Sequence, residues 1–185
     1  ITSIIAISVI WKWLYASGKY GLFNHFLSSI GIPPVNWLGV DWTLPSIIMM
    51  SVWGGLGYNM ILFIAGLQGI PQVFYEAAEV DGASDWDKFR NVTLPLLRPT
   101  MLFVSIMSII SAFQVFEQVY IMTYNSEGAV GGTLDCALTI VAYLYETGFQ
   151  RFSMGYASAL AYLIFFVLFI VTIINMKIVE KKIEY

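Results

Sequence analysis

MLFVSIMSIISAFQVFEQVYIMTY, residues 101–124, decides the fold class, because its one full charge is Glu117. The hydrocarbon core of a bilayer is about 30 Å thick and takes roughly 20 apolar residues at about 1.5 Å rise each. This run is long enough. A strand of a membrane barrel would alternate in polarity, and MLFVSIMSII at 101–110 does not. A backbone facing lipid must satisfy its own hydrogen bonds, so the run is predicted as a helix.

Working outward, Leu44–Leu67 and Tyr156–Met176 repeat the pattern with no full charge at all. The run Ile1–Tyr15 would reach only about 22 Å as a helix. It begins at Ile1, with no initiator Met and no basic segment before it. It is therefore read as part of a membrane helix whose start is missing, and the chain as a C-terminal fragment. The fold class expected is all-α: a polytopic bundle of about four membrane helices, near 1–15, 44–67, 101–124 and 156–176, in one domain over 1–185.

Composition agrees. Hydrophobic residues make up 58% of the chain and charged residues 11%, against about a quarter charged in a typical soluble domain. Mean hydropathy is +0.75. A net charge of −3 supplies no basic stripe for nucleic acid. Cys136 and His25 are each the single residue of their type, so a disulfide framework or a Cys/His metal site within the chain is excluded. No G-x-x-x-x-G-K-[ST] loop is present to cradle phosphates, and His25 has no Ser/Asp or Cys partners arranged for nucleophilic catalysis. The chain is expected not to be an enzyme and to hold no cofactor or metal.

Basic residues near helix ends set the orientation. Lys88, Arg90 and Arg98 in segment 68–99 and Lys177, Lys181 and Lys182 in the tail outnumber Lys12, Lys19 and Arg151 on the other side. Segment 68–99 and the C-terminus are therefore expected in the cytoplasm. Segments 16–43 and 125–153, the latter Gly-rich at Gly128, Gly131 and Gly132, are read as extracytoplasmic loops. Trp11, Trp13 and Tyr15, with Trp37 and Trp42, lie where aromatic belts form. Gly54, Gly55 and Gly57 suit close approach of a neighbouring helix.

The cytoplasmic segment reads IPQVFYEAAEVDGASDWDKFRNVTLPLLRP, 70–99. Pro71 suits the first helical position, good helix formers follow to Val80, and Gly82 suits a left-handed stop. Ser84 with Asp87 resembles a capping box that opens a short second helix, ended by Leu94-Pro95. Phe74, Ala77 and Ala78 share a face of the first helix. Two readings of these residues stand side by side: a knob for a partner's groove, or a well-packed connector.

Glu76-Ala77-Ala78, Gly82 and Leu94-Pro95 resemble the EAA loop of binding-protein-dependent ABC permeases. The fuller pattern is similar to the sugar-type branch, which includes maltose and glycerol-phosphate permeases. Ala65–Pro71, Trp53 with Gly57, and Gly155–Ala159 fit the same resemblance, which covers essentially the whole chain. Phe116-Glu117 stands where the family often has Phe-Asp, and Gly131-Gly132-Thr133 where it often has Gly-Gly-Pro. The resemblance implies that Glu76, Ala77, Ala78, Asp81, Gly82 and Pro95 couple the membrane helices to a separate ATP-binding subunit, which would hold the ATP and Mg. It also implies a second permease subunit in a heterodimer, an extracytoplasmic solute-binding protein and a prokaryotic inner membrane as setting.

No Lys or Arg lies mid-helix to pair with an anionic substrate. Tyr58, Asn59, Ser105, Ser108, Ser111 and Gln114 instead offer neutral hydrogen-bonding groups, and Ser108, Ser111 and Gln114, three apart, share a broad helical face. With Glu117 they are candidates for a path taken by a sugar or polyol. The alternative is that they hold helices together. A secondary transporter or channel for a small polar solute is the rival function, and it would ordinarily need more intramembrane carboxylates.

Overall fold

A computed structural model describes residues 3–18, 21–124 and 130–180. Lys19, Gly128, Lys181 and Lys182, used above for orientation and loop composition, lie outside the described residues. Among the described residues the structure is helical and holds no strand: α1 (Ile4–Leu14), α2 (Leu22–Ser29), α3 (Thr43–Gln68), α4 (Gln72–Val80), α5 (Asp85–Lys88), α6 (Leu94–Leu96), α7 (Arg98–Phe113), α8 (Glu117–Thr123), α9 (Ile140–Tyr145) and α10 (Met154–Glu180). Two π-helical turns, Phe89–Thr93 and Glu146–Gln150, join α5 to α6 and extend α9. Three apolar helical stretches, Thr43–Gln68, Arg98–Thr123 and Met154–Lys177, are long enough to cross a membrane, and Ile4–Leu14 is a shorter apolar helix.

Three sequence expectations change. The run 101–124 is not one helix: α7 ends at Phe113 and α8 begins at Glu117, with Phe116 at φ −138°, ψ −57° between them. A break inside an apolar run frees carbonyls that lipid cannot satisfy, and here Thr139 Oγ1 donates to Val115 O at 2.7 Å. At the far end of α8, where the last carbonyls also lack helical partners, Lys12 Nζ donates to Ile121 O at 2.7 Å. Secondly, loops 16–43 and 125–153 contain helices α2 and α9. Thr139 caps α9 by accepting from the Ala142 N–H at 3.4 Å, a signal legible as Thr before IVAYLY. Thirdly, Leu94-Pro95 does not end the second helix of segment 68–99, as described below.

The chain divides into two units, 1–55 with 112–165 and 56–111 with 166–185. The first is organised by an aromatic and aliphatic core. Ile7, Trp11, Tyr15, Ile47, Met50, Val119, Met122 and Ala142 are buried together. Trp11, Tyr15, Phe23 and Trp37 form a chain of tilted rings with centroids 5.4–5.9 Å apart. Offset geometries of this kind add about 0.5–1.5 kcal/mol per pair beyond burial. Polar atoms inside it are used: Tyr15 Oη donates to Ser46 O at 3.0 Å, and Ser46 Oγ donates to Trp37 O at 2.8 Å.

The second unit holds the hairpin 71–97 and the helices that flank it. Within it a Cβ at Gly66 would run into the Thr100 side chain and lie 3.0 Å from Leu97 Cδ1, so glycine there is a packing requirement. Ser105 Oγ, bonded to Leu102 O at 2.9 Å, also meets Asn175 Oδ1 at 3.2 Å and ties α7 to α10.

Candidate functional site

The most completely determined local structure outside the apolar helices is the hairpin 71–97. Its first helix, α4, begins at Gln72, with Pro71 as the N-cap (φ −61°, ψ 135°) rather than the first helical residue. Proline serves there because its ring fixes φ and an N-cap needs no donor of its own. The helix ends in a Schellman motif: the Ala83 N–H donates to Ala78 O at 2.9 Å and the Gly82 N–H to Glu79 O at 3.0 Å. Gly82 sits at φ +76°, a conformation that costs an L-residue about 1–2 kcal/mol.

The second arm starts one residue after Ala83. Ser84 accepts from the Asp87 N–H while the Asp87 carboxylate accepts from the Ser84 N–H at 3.1 Å, a closed capping box. These bonds hold the Asp87 carboxyl below its ordinary pKa, the Ser84 hydroxyl contributing most. From Asp85 the chain stays helical through Leu96, so Pro95 lies inside the arm. The π turn explains this tolerance. The Leu94 N–H donates five residues back to Phe89 O, and the ladder is already changing register where the proline removes a donor.

Three polar contacts brace one arm against the other or hold the second arm's start. Lys88 Nζ contacts Glu79 Oε1 at 2.9 Å across the hairpin and Asp85 Oδ1 at 2.9 Å within the arm. The Glu79 contact is the larger cause of a raised Lys88 pKa. Tyr75 Oη and Thr93 Oγ1 share a hydrogen bond at 2.9 Å, with Thr93 buried by the π turn. The sequence reading missed both Tyr75–Thr93 and Glu79–Lys88, which depend on how the second arm folds back.

Of the residues assigned to coupling, Glu76, Ala77, Asp81 and Gly82 are exposed, while Ala78 and Pro95 are half-buried. Ala78 thus contributes its carbonyl to the turn, and Pro95 shapes the second arm. Around them Val73, Phe74, Val80 and Trp86 are exposed, Val80 at 88%, with Trp86 stacked on Phe89 at 5.6 Å. These apolar side chains lie open on the hairpin and belong to no core.

The path candidates are more dispersed. Tyr58, Ser108, Ser111, Gln114 and Glu117 are exposed and Asn59 is half-buried. Ser108 and Ser111 lie on α7, but Gln114 falls in the turn beyond Phe113, so the shared helical face of Ser108, Ser111 and Gln114 stops at Ser111. The regular 3.6-residue period does not run through this stretch, where Val115 gives its carbonyl to Thr139. Glu117 opens α8, where a carboxylate complements the helix dipole. Ser105, bonded to Asn175, does what the helix-binding alternative described.

A family model described as the binding-protein-dependent transport system inner membrane component matches residues 2–185. The chain belongs to that family. As a member it is a membrane protein, with three apolar helical stretches long enough to cross a bilayer among the described residues. It is 34% identical over 180 residues to the arabinooligosaccharides transport system permease protein AraP of Bacillus subtilis (strain 168), covering 96% of this chain and 56% of that protein. To the trehalose/maltose transport system permease protein MalF of Thermococcus litoralis it is 38% identical over 169 residues, covering 91% and 55%. The chain therefore spans about half the length of the curated relatives it matches. A bacterial ABC transporter involved in import of the acidic polysaccharide alginate has a chain that superposes with a TM-score of 0.83 at 24% identity, covering 98% of this chain and 62% of that one. That likeness shows the fold.

Proposed function

We propose that the chain is part of a permease subunit of an ABC importer and lines the route of a sugar or related polyol. The hairpin 71–97 is its coupling element. It docks in a cleft of a separate ATP-hydrolysing subunit, which binds the ATP and Mg. A second permease subunit and an extracytoplasmic solute-binding protein complete the assembly, with the hairpin and the C-terminus in the cytoplasm. Membership of a binding-protein-dependent transport family and sugar-named permeases among the relatives support this reading.

The observation that carries it is the hairpin's combination of internal bracing and outward apolar surface. Braces at Gly82, Ser84–Asp87, Glu79–Lys88 and Tyr75–Thr93 make it move as one body. A rigid knob transmits displacement, whereas a flexible one would absorb it. Closure of the ATPase would then tilt the attached membrane helices, as alternating access requires.

Gly82→Pro tests this in the full-length transporter. Proline cannot adopt φ +76° and removes the bond to Glu79 O. The expected outcome is at least a tenfold fall in uptake (about 1.4 kcal/mol in coupling), with the protein still present in the membrane and ATP hydrolysis no longer responsive to the solute. Uptake at the unsubstituted rate overturns the coupling role.

A further inference from the structure

Helix α2, Leu22–Ser29, was not foreseen in the sequence and is used by none of the chemistry above. Its rotation about its own axis is fixed from one side. Phe23 packs its ring against Trp11, Tyr15 and Trp37 at 5.4–5.9 Å. The buried Asn24 side chain donates to Val35 O at 2.9 Å and to Ala16 O at 3.4 Å, and its Oδ1 accepts from the Val35 N–H at 2.9 Å and Trp37 Nε1 at 3.1 Å. Every hydrogen-bonding position of that amide is engaged, so α2 cannot roll.

With the inward side so fixed, a rotation of about 100° per residue divides the rest of the surface in two. Leu22, Phe26 and, just past the helix end, Ile30 fall on one arc and are 54%, 64% and 56% exposed. His25 and Ser28 fall on the other and are also exposed. Ser29 lies at the margin. The result is a three-sided helix: one side in the core, one open and apolar, one open and polar.

We infer that α2 lies in the plane of the membrane interface, with Leu22, Phe26 and Ile30 seated against lipid and His25 and Ser28 facing water. One further observation favours lipid over a soluble protein as the occupant. The apolar arc belongs to the same unit as Trp13 and Trp42, 61% and 46% exposed at the ends of α1 and α3, and exposed tryptophans at the ends of membrane helices mark the headgroup level. An amphipathic helix held there buries its apolar side at the headgroup–acyl boundary. Segment 16–43 is then a membrane-resting ledge, not a free loop.

Nitroxide labels at Phe26→Cys and Ser28→Cys test this in the full-length protein, with native cysteines including Cys136 replaced by Ser, reconstituted in phosphatidylcholine–phosphatidylglycerol vesicles. Oxygen concentrates in lipid and a nickel chelate stays in water. The expected result is that oxygen dominates relaxation at position 26 and nickel at position 28, the accessibility ratio differing several-fold. Nickel dominance at 26 would show that the arc faces water, and exclusion of both reagents there would show that protein covers it; either overturns the inference. Labels at Leu22 and Ile30 repeat the measurement one turn away, should a label at 26 disturb the helix.

Discussion

The hairpin at 71–97 and the helix break at 114–116 are both places where an α-helical ladder is interrupted, and they are mended by different means. In the hairpin, the freed groups are taken by near neighbours: Ala78 and Glu79 receive Ala83 and Gly82, Ser84 and Asp87 satisfy each other, and the farthest brace, Tyr75–Thr93, spans 18 residues. At the break, Val115 is served by Thr139, 24 residues away, and at the end of the short helix beyond it Ile121 is served by Lys12, 109 residues away. The first kind of repair survives motion of the whole element, because nothing in it depends on the rest of the chain. The second kind locks distant segments of one unit together. A part meant to move as a body and a part meant to hold its surroundings still would differ in this way.

Breaking the long-range ties should therefore cost more global stability than breaking the local ones. Lys12→Met leaves Ile121 O, one of the last carbonyls of α8, without its charged donor. The expected loss is about 1.5–3 kcal/mol, the range for hydrogen bonds to charged groups, read from thermal or denaturant unfolding of the purified full-length protein in detergent. Thr139→Val keeps the shape and removes both the bond to Val115 O and the cap on α9. About 1–2 kcal/mol is expected, with Thr139→Ser restoring most of it. If both variants unfold with the native protein, α8 and the break before it are not held by these side chains.

The smallest effect belongs to the hairpin. The Asp87 carboxyl is held below its ordinary pKa by Ser84, so its contribution is present at any pH above the unfolded carboxylate value of about 4 and is lost as pH falls through the lower folded value. Amide exchange at Asp87 should be unchanged between about pH 6 and 8 once corrected for the intrinsic rate, and should rise only below about pH 4. Global unfolding should not shift with it. A hairpin that opened near neutral pH would contradict the capping-box account.

The same contrast explains what the sequence made legible. Apolar runs report membrane helices because lipid imposes a minimum length, and the Gly82 turn and Ser84 cap are signalled within four residues by chemistry that only those residue types perform. The break was invisible because Gln114-Val115-Phe116 contains no breaker; the partner of its freed carbonyl, Thr139, sits far along the chain. Pro95 misled in the opposite direction, since a proline ordinarily ends a helix and here a π turn accommodates it. The dependence of Asn24 on Val35 and Trp37 likewise left no local trace, which is why a helix stood where a loop was expected. For the path residues, the 3.6-residue period that linked Gln114 to Ser108 and Ser111 failed at the break.

A single cysteine at the exposed Ala77, with native cysteines including Cys136 replaced by Ser in the full-length assembly, tests the coupling role most directly. The expected result is a crosslink in native membranes between position 77 and an ATP-hydrolysing subunit, with a yield that changes when nucleotide is added. Absence of any such crosslink from position 77, and from Glu76 and Asp81 substituted in turn, would mean that the hairpin is a connector and that coupling lies elsewhere.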